Sequence, residues 1–216
     1  MKQGHTAILI ALDETASMES VRDATISAFN EFMQDQRKVK GSAELWLLRF
    51  NTCVALNDPK QWGDLGQVPD LSRDTYRPAC NTPLYDAVGN LIDLAGKNFG
   101  ARAEHEQPEK VVCVIQTDGE ENSSREYTAD RVKSMIGHQR STYGWQFMFL
   151  GAAQDAWMAG QMIGIAAAQT LSYDQDPQSA KAAFVYTSNS VAGYRSAGTA
   201  MAYDDTDIRE KRAPKN

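Results

Sequence analysis

The chain has 216 residues, of which 42% are hydrophobic, and its 28 Asp and Glu outnumber its 22 Lys and Arg to give a formal net charge of −6. This length allows one large domain with a substantial core. The acidic balance argues against nucleic acid as the main partner, because binding to a phosphate backbone needs a basic surface. No run of roughly 18 or more apolar residues occurs, so we expect neither a transmembrane helix nor a membrane partner.

The N-terminal residues and the three cysteines predict the cellular compartment of the protein. The first twelve residues lack the charged segment, apolar segment and cleavage site of a signal peptide. Cys53, Cys80 and Cys113 form no C-x-x-C pair, so zinc and redox motifs are absent. We therefore expect a cytoplasmic protein with reduced cysteines, and we interpret Cys80 as a small buried side chain.

The first part of the chain alternates apolar runs with helical patterns. Residues 6–12 are almost wholly apolar, as expected of a strand that is buried on both faces. Residues 21–33 carry apolar side chains at three- and four-residue spacing, which predicts a helix. Residues 44–50 predict a second strand, followed by a turn and a short antiparallel strand at Cys53–Leu56. Residues 57–79 lack clear periodicity and predict a long loop.

The remainder of the chain repeats this alternation. A helix is predicted from Pro83 to Ala95, because proline suits the first helical position. The elements predicted after it are, in order, a strand at 111–117, a helix at 132–136, a strand at 145–150 and helices at 157–163 and 180–194. This alternation predicts an α/β, doubly wound, mostly parallel sheet with helices on both faces. We expect one domain at residues 1–202 and a charged, flexible tail at residues 203–216.

Two polar segments directly follow the two most uniformly apolar runs, residues 6–12 and 111–117. The first contains Asp13, Thr15 and Ser17 at alternating positions, and the second contains Asp118 followed by glycine. In a sheet of order 3-2-1-4-5-6 the first and fourth strands are neighbours, and ligands bind beyond their carboxyl ends. The two aspartates then face the same crevice, and Thr82 reaches it from the loop that starts the next helix.

This set of side chains offers two carboxylates and three hydroxyls. Oxygen ligands of this kind suit a hard divalent cation such as Mg²⁺. The alternative for the first segment is helix capping, with Thr15 or Ser17 as the N-cap and Glu19 or Ser20 in the first turn. The two roles are compatible, since a capping hydroxyl can also serve a metal ion.

These segments resemble a known family. Asp-x-Thr-x-Ser at residues 13–17, the Thr82 of Asn-Thr-Pro-Leu and the Asp118-Gly pair are similar to the metal-ion-dependent adhesion site (MIDAS) of von Willebrand factor A-type (VWA) domains. The resemblance covers roughly residues 6–200, and the chain looks like small stand-alone VWA proteins of bacteria and phages. Where this family commonly has serine, Thr15 keeps the hydroxyl group.

The resemblance implies a Rossmann-like six-stranded sheet of order 3-2-1-4-5-6 with one short antiparallel edge strand. It further implies Mg²⁺ or Mn²⁺ bound by Asp13, Thr15, Ser17, Thr82 and Asp118, directly or through water. An open coordination position would accept a carboxylate from a protein partner. The domain itself would catalyse nothing.

Two other functions compete with this interpretation. A Mg²⁺-dependent phosphohydrolase of haloacid-dehalogenase type also begins with an aspartate after the first strand, but it needs a second acid where this chain has Thr15. A structural domain with a vestigial metal site is the other alternative. Nucleotide binding has no support, because the sequence contains neither a Walker A loop nor G-x-G-x-x-G.

Overall fold

The computed structural model describes residues 1–54, 56, 61–118, 120–152 and 156–203. Its six-stranded sheet has the order β3-β2-β1-β4-β5-β6. The strands are β1 (Lys2–Asp13), β2 (Ser42–Phe50), β3 (Gln61–Asp64), β4 (Pro108–Thr117), β5 (Gln146–Ala152) and β6 (Thr170–Tyr173). All neighbouring strands are parallel except β2 and β3, which pair antiparallel. The predicted fold class, strand order and antiparallel edge strand are confirmed.

Five helices connect and cover the strands. They are α1 (Arg22–Lys38), α2 (Leu84–Ala101), α3 (Ala129–Tyr143), α4 (Ala156–Met162) and α5 (Pro177–Ala197). The apolar spacing of the sequence predicts each of them, although α1, α2, α3 and α5 extend beyond their apolar stripes. Asp176 caps α5 by accepting hydrogen bonds from the backbone N–H groups of Gln178 and Ser179, both at 3.0 Å.

Alternate side chains of the central strand β1 pack into two separate hydrophobic cores. Ile8, Ile10 and Leu12 face α1 and α5, whereas Leu9 and Ala11 face α2 and α3. Because both faces of β1 are buried, its sequence is a continuous apolar run without polar alternation. Its carboxyl end is therefore fixed from both faces, which holds the residues that follow it in place.

The predicted strand at Cys53–Leu56 is wrong. Cys53, Val54 and Leu56 lie in turns and a bend, and the antiparallel strand is β3, inside the predicted loop. The reason is an Asx turn: the Asn51 side chain accepts a hydrogen bond from the Cys53 N–H at 2.8 Å and turns the chain away from the sheet.

Two further findings concern the remainder of the chain. No apolar run predicts the sixth strand, because β6 is only four residues long. Of the predicted tail, residues 204–216 lie outside the described residues. Tyr203 is buried, and its hydroxyl is 3.0 Å from the hydroxyl of Thr187.

No helix in the described part of the chain has the length and apolar character needed to cross a membrane.

Candidate functional site

Asp13 is the last residue of β1 and lies at the carboxyl edge of the sheet. Its side chain is fully buried. One carboxylate oxygen accepts a hydrogen bond from the Thr15 N–H at 2.8 Å, and the other accepts one from the hydroxyl of Thr117 at the end of β4. Because β1 and β4 are hydrogen-bonded neighbours, the tertiary structure brings Asp13 beside the segment that carries Asp118.

Thr15 and Ser17 connect the two aspartates. The hydroxyls of Thr15 and Ser17 are 3.1 Å apart, and the Ser17 hydroxyl donates to Asp118 Oδ1 at 2.7 Å. Thr15 occupies the N-cap position of a short 3-10 helix at Ala16–Val21, but its side chain makes no capping hydrogen bond. The hydroxyl of Thr15 is therefore directed to the polar cluster and does not cap the helix.

Thr82 reaches the same edge of the sheet from the loop before α2. It is 3% exposed, and its backbone forms a reciprocal pair with Asn122: the Thr82 N–H donates to Asn122 Oδ1 at 3.0 Å, and the Asn122 N–H donates to the Thr82 carbonyl at 3.2 Å. These two bonds join the Thr82 loop to the loop that follows Asp118. Asp13, Thr15, Ser17 and Asp118 are thus joined by hydrogen bonds that each involve at least one side chain, and Thr82 is linked to their surroundings through its backbone.

Gln175 is a neighbour of the site that the sequence analysis missed. It lies in the loop between β6 and α5, and its amide donates to Asp118 Oδ2 at 2.7 Å. Together with the Ser17 bond, this contact gives both Asp118 oxygens a donor. The sequence does place Gln175 directly before Asp176, the N-cap of α5. It does not show that Gln175 follows a strand, because β6 is too short to be recognised from its apolar pattern.

Glu121 and Asp86 hold the loop after Asp118 against the start of α2. Glu121 accepts hydrogen bonds from the N–H groups of Tyr85, Ser123 and Ser124 at 2.7 to 2.9 Å. Asp86 accepts three more from consecutive N–H groups of residues 125–127, at 2.8 to 2.9 Å. These carboxylates fix the loop from which Asn122 pairs with Thr82.

Glu14, directly after Asp13, has a structural role of its own. It is buried, and its carboxylate pairs with the Arg49 guanidinium at 3.1 Å and accepts a bond from the Arg77 N–H. The charge of Glu14 is therefore largely neutralised within the fold. Glu120, by contrast, is an exposed loop carboxylate.

Burial makes the charged form of both candidate aspartates unfavourable. Desolvation raises the pKa of Asp13 to about 6, against hydrogen bonds from Thr117 and Thr15 that favour the charged form, and the nearby Asp118 raises it further. Desolvation also raises the pKa of Asp118, opposed by hydrogen bonds from Ser17 and Gln175. The cluster thus contains two carboxylates that a cation would stabilise in their charged form.

The donor set fits a hard cation in its chemistry, since it consists of oxygen atoms. It contains two carboxylates and three hydroxyls, with no imidazole or thiolate. No group of three or more His, Cys, Asp or Glu side chains within the described residues is arranged to hold a metal ion. Any cation at this edge of the sheet would therefore depend on the hydroxyl oxygens as well as on the two aspartates.

A disulfide lies beside the site. Cys53, in the turns after β2, is bonded to Cys80, and their Cα atoms are 6.1 Å apart. Cys53 is exposed and Cys80 is half-buried, so Cys80 is not the buried side chain that the sequence suggested. The expectation of reduced cysteines is wrong for this pair, because folding brings the two residues together from distant segments. Cys113 is free and buried, and burial raises the pKa of its thiol to about 12.

Comparisons with known proteins identify neighbours at the level of the fold. No protein-family model and no curated protein matches the sequence. Proximal thread matrix protein 1 from the mussel byssus has a TM-score of 0.52 and 14% identity over 88% of this chain. The open conformation of the pilus adhesin SpaC from Lactobacillus rhamnosus GG has a TM-score of 0.60 and 10% identity over 89% of it. The chain spans 45% and 30% of those two proteins, and at such identities the likeness is one of fold alone.

Proposed function

We propose that this protein is a metal-dependent protein-binding module without catalytic activity of its own. Asp13, Thr15, Ser17, Thr82 and Asp118 would hold one divalent cation, Mg²⁺ or Mn²⁺, at the carboxyl edge of the sheet. The cation would supply a positive charge to which a carboxylate of a protein partner binds.

One observation carries this proposal. Two desolvated carboxylates at the ends of neighbouring strands are connected through Thr15 and Ser17. The Thr15 N–H donates to Asp13 at 2.8 Å, the Thr15 and Ser17 hydroxyls are 3.1 Å apart, and the Ser17 hydroxyl donates to Asp118 at 2.7 Å. Two adjacent buried carboxylates destabilise the fold when both are charged, and a bound cation removes that cost. The loops around them are held by their own hydrogen bonds, which is what a preorganised ligand set requires.

The binding role rests on the fold and on the nature of the site. The two structural neighbours are named as a thread matrix protein and a pilus adhesin, which favours a protein partner. The VWA resemblance of residues 13–17, Thr82 and Asp118 favours a metal-bridged contact. A bond between a cation and a partner carboxylate is charge-assisted, so its loss should weaken binding more than the loss of an exposed ion pair.

The phosphohydrolase alternative lacks a positioned acid–base pair. Both oxygens of Asp13 accept hydrogen bonds, from Thr15 and Thr117, and the position of the required second acid holds a threonine. A nucleophilic carboxylate needs such a partner to protonate the leaving group. We therefore assign Asp13 to cation binding and not to phosphoryl transfer.

Calorimetry with Mg²⁺ and Mn²⁺ tests the metal site. The wild-type chain should bind one cation, and the Asp13→Ala, Asp118→Ala double variant should bind none. Glu120→Ala, which removes an exposed carboxylate from the same loop, is the matched control and should bind as the wild type does. Equal binding by the wild type and the double variant would refute the site.

Co-purification tests the partner. Proteins retained from native lysate in Mg²⁺ should be released by EDTA and should not be retained by Thr82→Ala. Metal-dependent hydrolysis of a phosphoester that is lost in Asp13→Asn would instead establish the phosphohydrolase activity.

A further inference from the structure

We propose that the Cys53–Cys80 disulfide is a site of reversible thiol modification that controls the affinity of the candidate site for its cation. The oxidised pair adds a covalent restraint to the hydrogen bonds that position the Thr82 loop, and reduction removes that restraint. This inference rests on the proposed metal site and adds a redox input to it.

The position of the disulfide points to this role. It joins the turns after β2 to the loop two residues before Thr82, across a sequence separation of 27 residues. It lies at the edge of the sheet where the candidate ligands gather, away from both cores. A chain of 216 residues with two extensive cores does not need a covalent link in order to fold, so a structural staple is not required here.

Cys80 contacts the segment that carries three candidate ligands. Its carbonyl accepts a hydrogen bond from the Ala16 N–H at 3.1 Å, between Thr15 and Ser17. On the other side, the Ala79 N–H donates to the Glu14 carbonyl at 3.0 Å. A displacement of Cys80 would therefore reach both the loop of residues 13–17 and Thr82.

The backbone of Cys80 shows what holds it in this position. Its φ of +64° makes it the one non-glycine residue in the described chain with a positive φ, a conformation that side chains with a Cβ atom rarely adopt. Two hydrogen bonds accompany the disulfide, from the Thr52 N–H to the Asn81 carbonyl at 3.1 Å and from the Asn81 N–H to the Thr52 hydroxyl at 3.2 Å. Both lie at exposed residues, where water competes for the donors. Reduction leaves Cys80 free to relax to an ordinary backbone conformation.

The chemistry is thiol–disulfide exchange with a low-molecular-weight monothiol of the glutathione class. The thiolate attacks the sulfur of Cys53, the more exposed residue of the pair, forms a mixed disulfide there and expels the Cys80 thiolate, which takes up a proton. A second monothiol attacks the mixed disulfide and releases the Cys53 thiol. Two monothiols are thereby oxidised to their disulfide while the protein disulfide is reduced to two thiols, and the reverse sequence restores it. Cys113 takes no part, because it is buried and its thiol stays protonated.

The test compares Mg²⁺ affinity of the full chain in its two redox states. Oxidised protein is titrated by calorimetry, and a second sample is titrated after treatment with excess glutathione and desalting without oxygen. Outer contacts that orient metal ligands typically change affinity by at least about tenfold, so reduction should weaken the Kd for Mg²⁺ about tenfold. In metal-free protein, the amide hydrogens of Ala16 and Asn81 should exchange faster after reduction.

Variants separate this effect from general destabilisation. The Cys53→Ser, Cys80→Ser double variant should bind Mg²⁺ as the reduced wild type does and should not respond to glutathione. Cys113→Ala keeps the pair and should retain the full response. Reduction of the wild type needs no substitution and serves if the double variant does not fold.

The possible outcomes are distinct. A disulfide that resists excess glutathione, or equal Mg²⁺ affinity in the two redox states, overturns this inference and leaves the metal site standing. Failure of both redox states to bind Mg²⁺ overturns the proposed function, and this inference with it.

Discussion

Replacing Asp13 by asparagine removes a buried charge and leaves the side-chain shape unchanged. The remaining oxygen can still accept from the Thr15 N–H, and the new amide can donate to the hydroxyl oxygen of Thr117, which changes from donor to acceptor in this pair. In metal-free protein the variant should therefore be more stable than the wild type at pH 7, although it has lost a candidate metal ligand.

The magnitude follows from the pKa of Asp13. Folding raises this pKa from its ordinary value of 3.8 to about 6, and each unit corresponds to about 1.4 kcal/mol. Below pH 3.8 the carboxyl is protonated in both states and contributes nothing. Between that value and about 6 only the unfolded state releases the proton, so stability falls as the pH rises. Above about pH 6 Asp13 is charged in both states, and its burial lowers the free energy of unfolding by roughly 3 kcal/mol.

Urea unfolding in EDTA at pH 4, 5 and 7 measures this effect. Asp13→Asn should exceed the wild type by as much as about 3 kcal/mol at pH 7, and the difference should shrink toward zero at pH 4. Added Mg²⁺ at about 100 times its Kd should stabilise the wild type by roughly 2.7 kcal/mol and should not stabilise Asp13→Asn. Glu120→Gln, at an exposed position, should stay within about 0.5 kcal/mol of the wild type.

Either of two results would refute a destabilised, cation-binding Asp13. If metal-free Asp13→Asn is less stable than the wild type at pH 7, the Asp13 carboxylate stabilises the fold and is not a destabilised ligand. If Mg²⁺ stabilises Asp13→Asn as much as it stabilises the wild type, Asp13 does not hold the cation.

Two further predictions concern the loop that follows Asp118. Asn122→Ala removes the side-chain acceptor of the Thr82 N–H; it should weaken Mg²⁺ binding about tenfold and cost about 1 kcal/mol of unfolding free energy, because one backbone donor loses its partner. Unchanged affinity by calorimetry would show that the Thr82 loop keeps its position without this bond. Asp86→Ala removes the acceptor of three backbone N–H groups at residues 125–127 and should cost at least about 2 kcal/mol in urea unfolding. A loss below about 0.5 kcal/mol would mean that water replaces these bonds at no cost.

Local sequence determined the fold to a large extent. The apolar runs at residues 6–12 and 111–117 identify β1 and β4, because strands buried on both faces have no polar alternation. The helical spacing identifies the five helices, and the alternation of strand and helix limits the topology to a doubly wound sheet. These signals come from residues close together in the chain, so they can be read without the tertiary structure.

The candidate ligands were also apparent from local sequence, because Asp13, Thr15, Ser17 and Asp118 lie in the segments that follow two predicted strands. Thr82 lies in the loop that starts the next predicted helix. In the structure, Asp13, Thr15, Ser17 and Asp118 form one hydrogen-bonded cluster, and Thr82 lies in the loop that Asn122 holds beside it. Whether this cluster binds a cation stays a prediction that the titrations test.

The tertiary structure decided the contacts that join distant segments. Gln175 meets Asp118 because β6 ends at the same edge as β4, and Cys53 meets Cys80 because an Asx turn at Asn51 bends the chain toward the Thr82 loop. The antiparallel edge strand that pairs with β2 is β3 and not Cys53–Leu56. Each of these outcomes depends on side chains brought together from different elements. Sequence periodicity reports only which face of an element is buried, so it carries no information about such pairs.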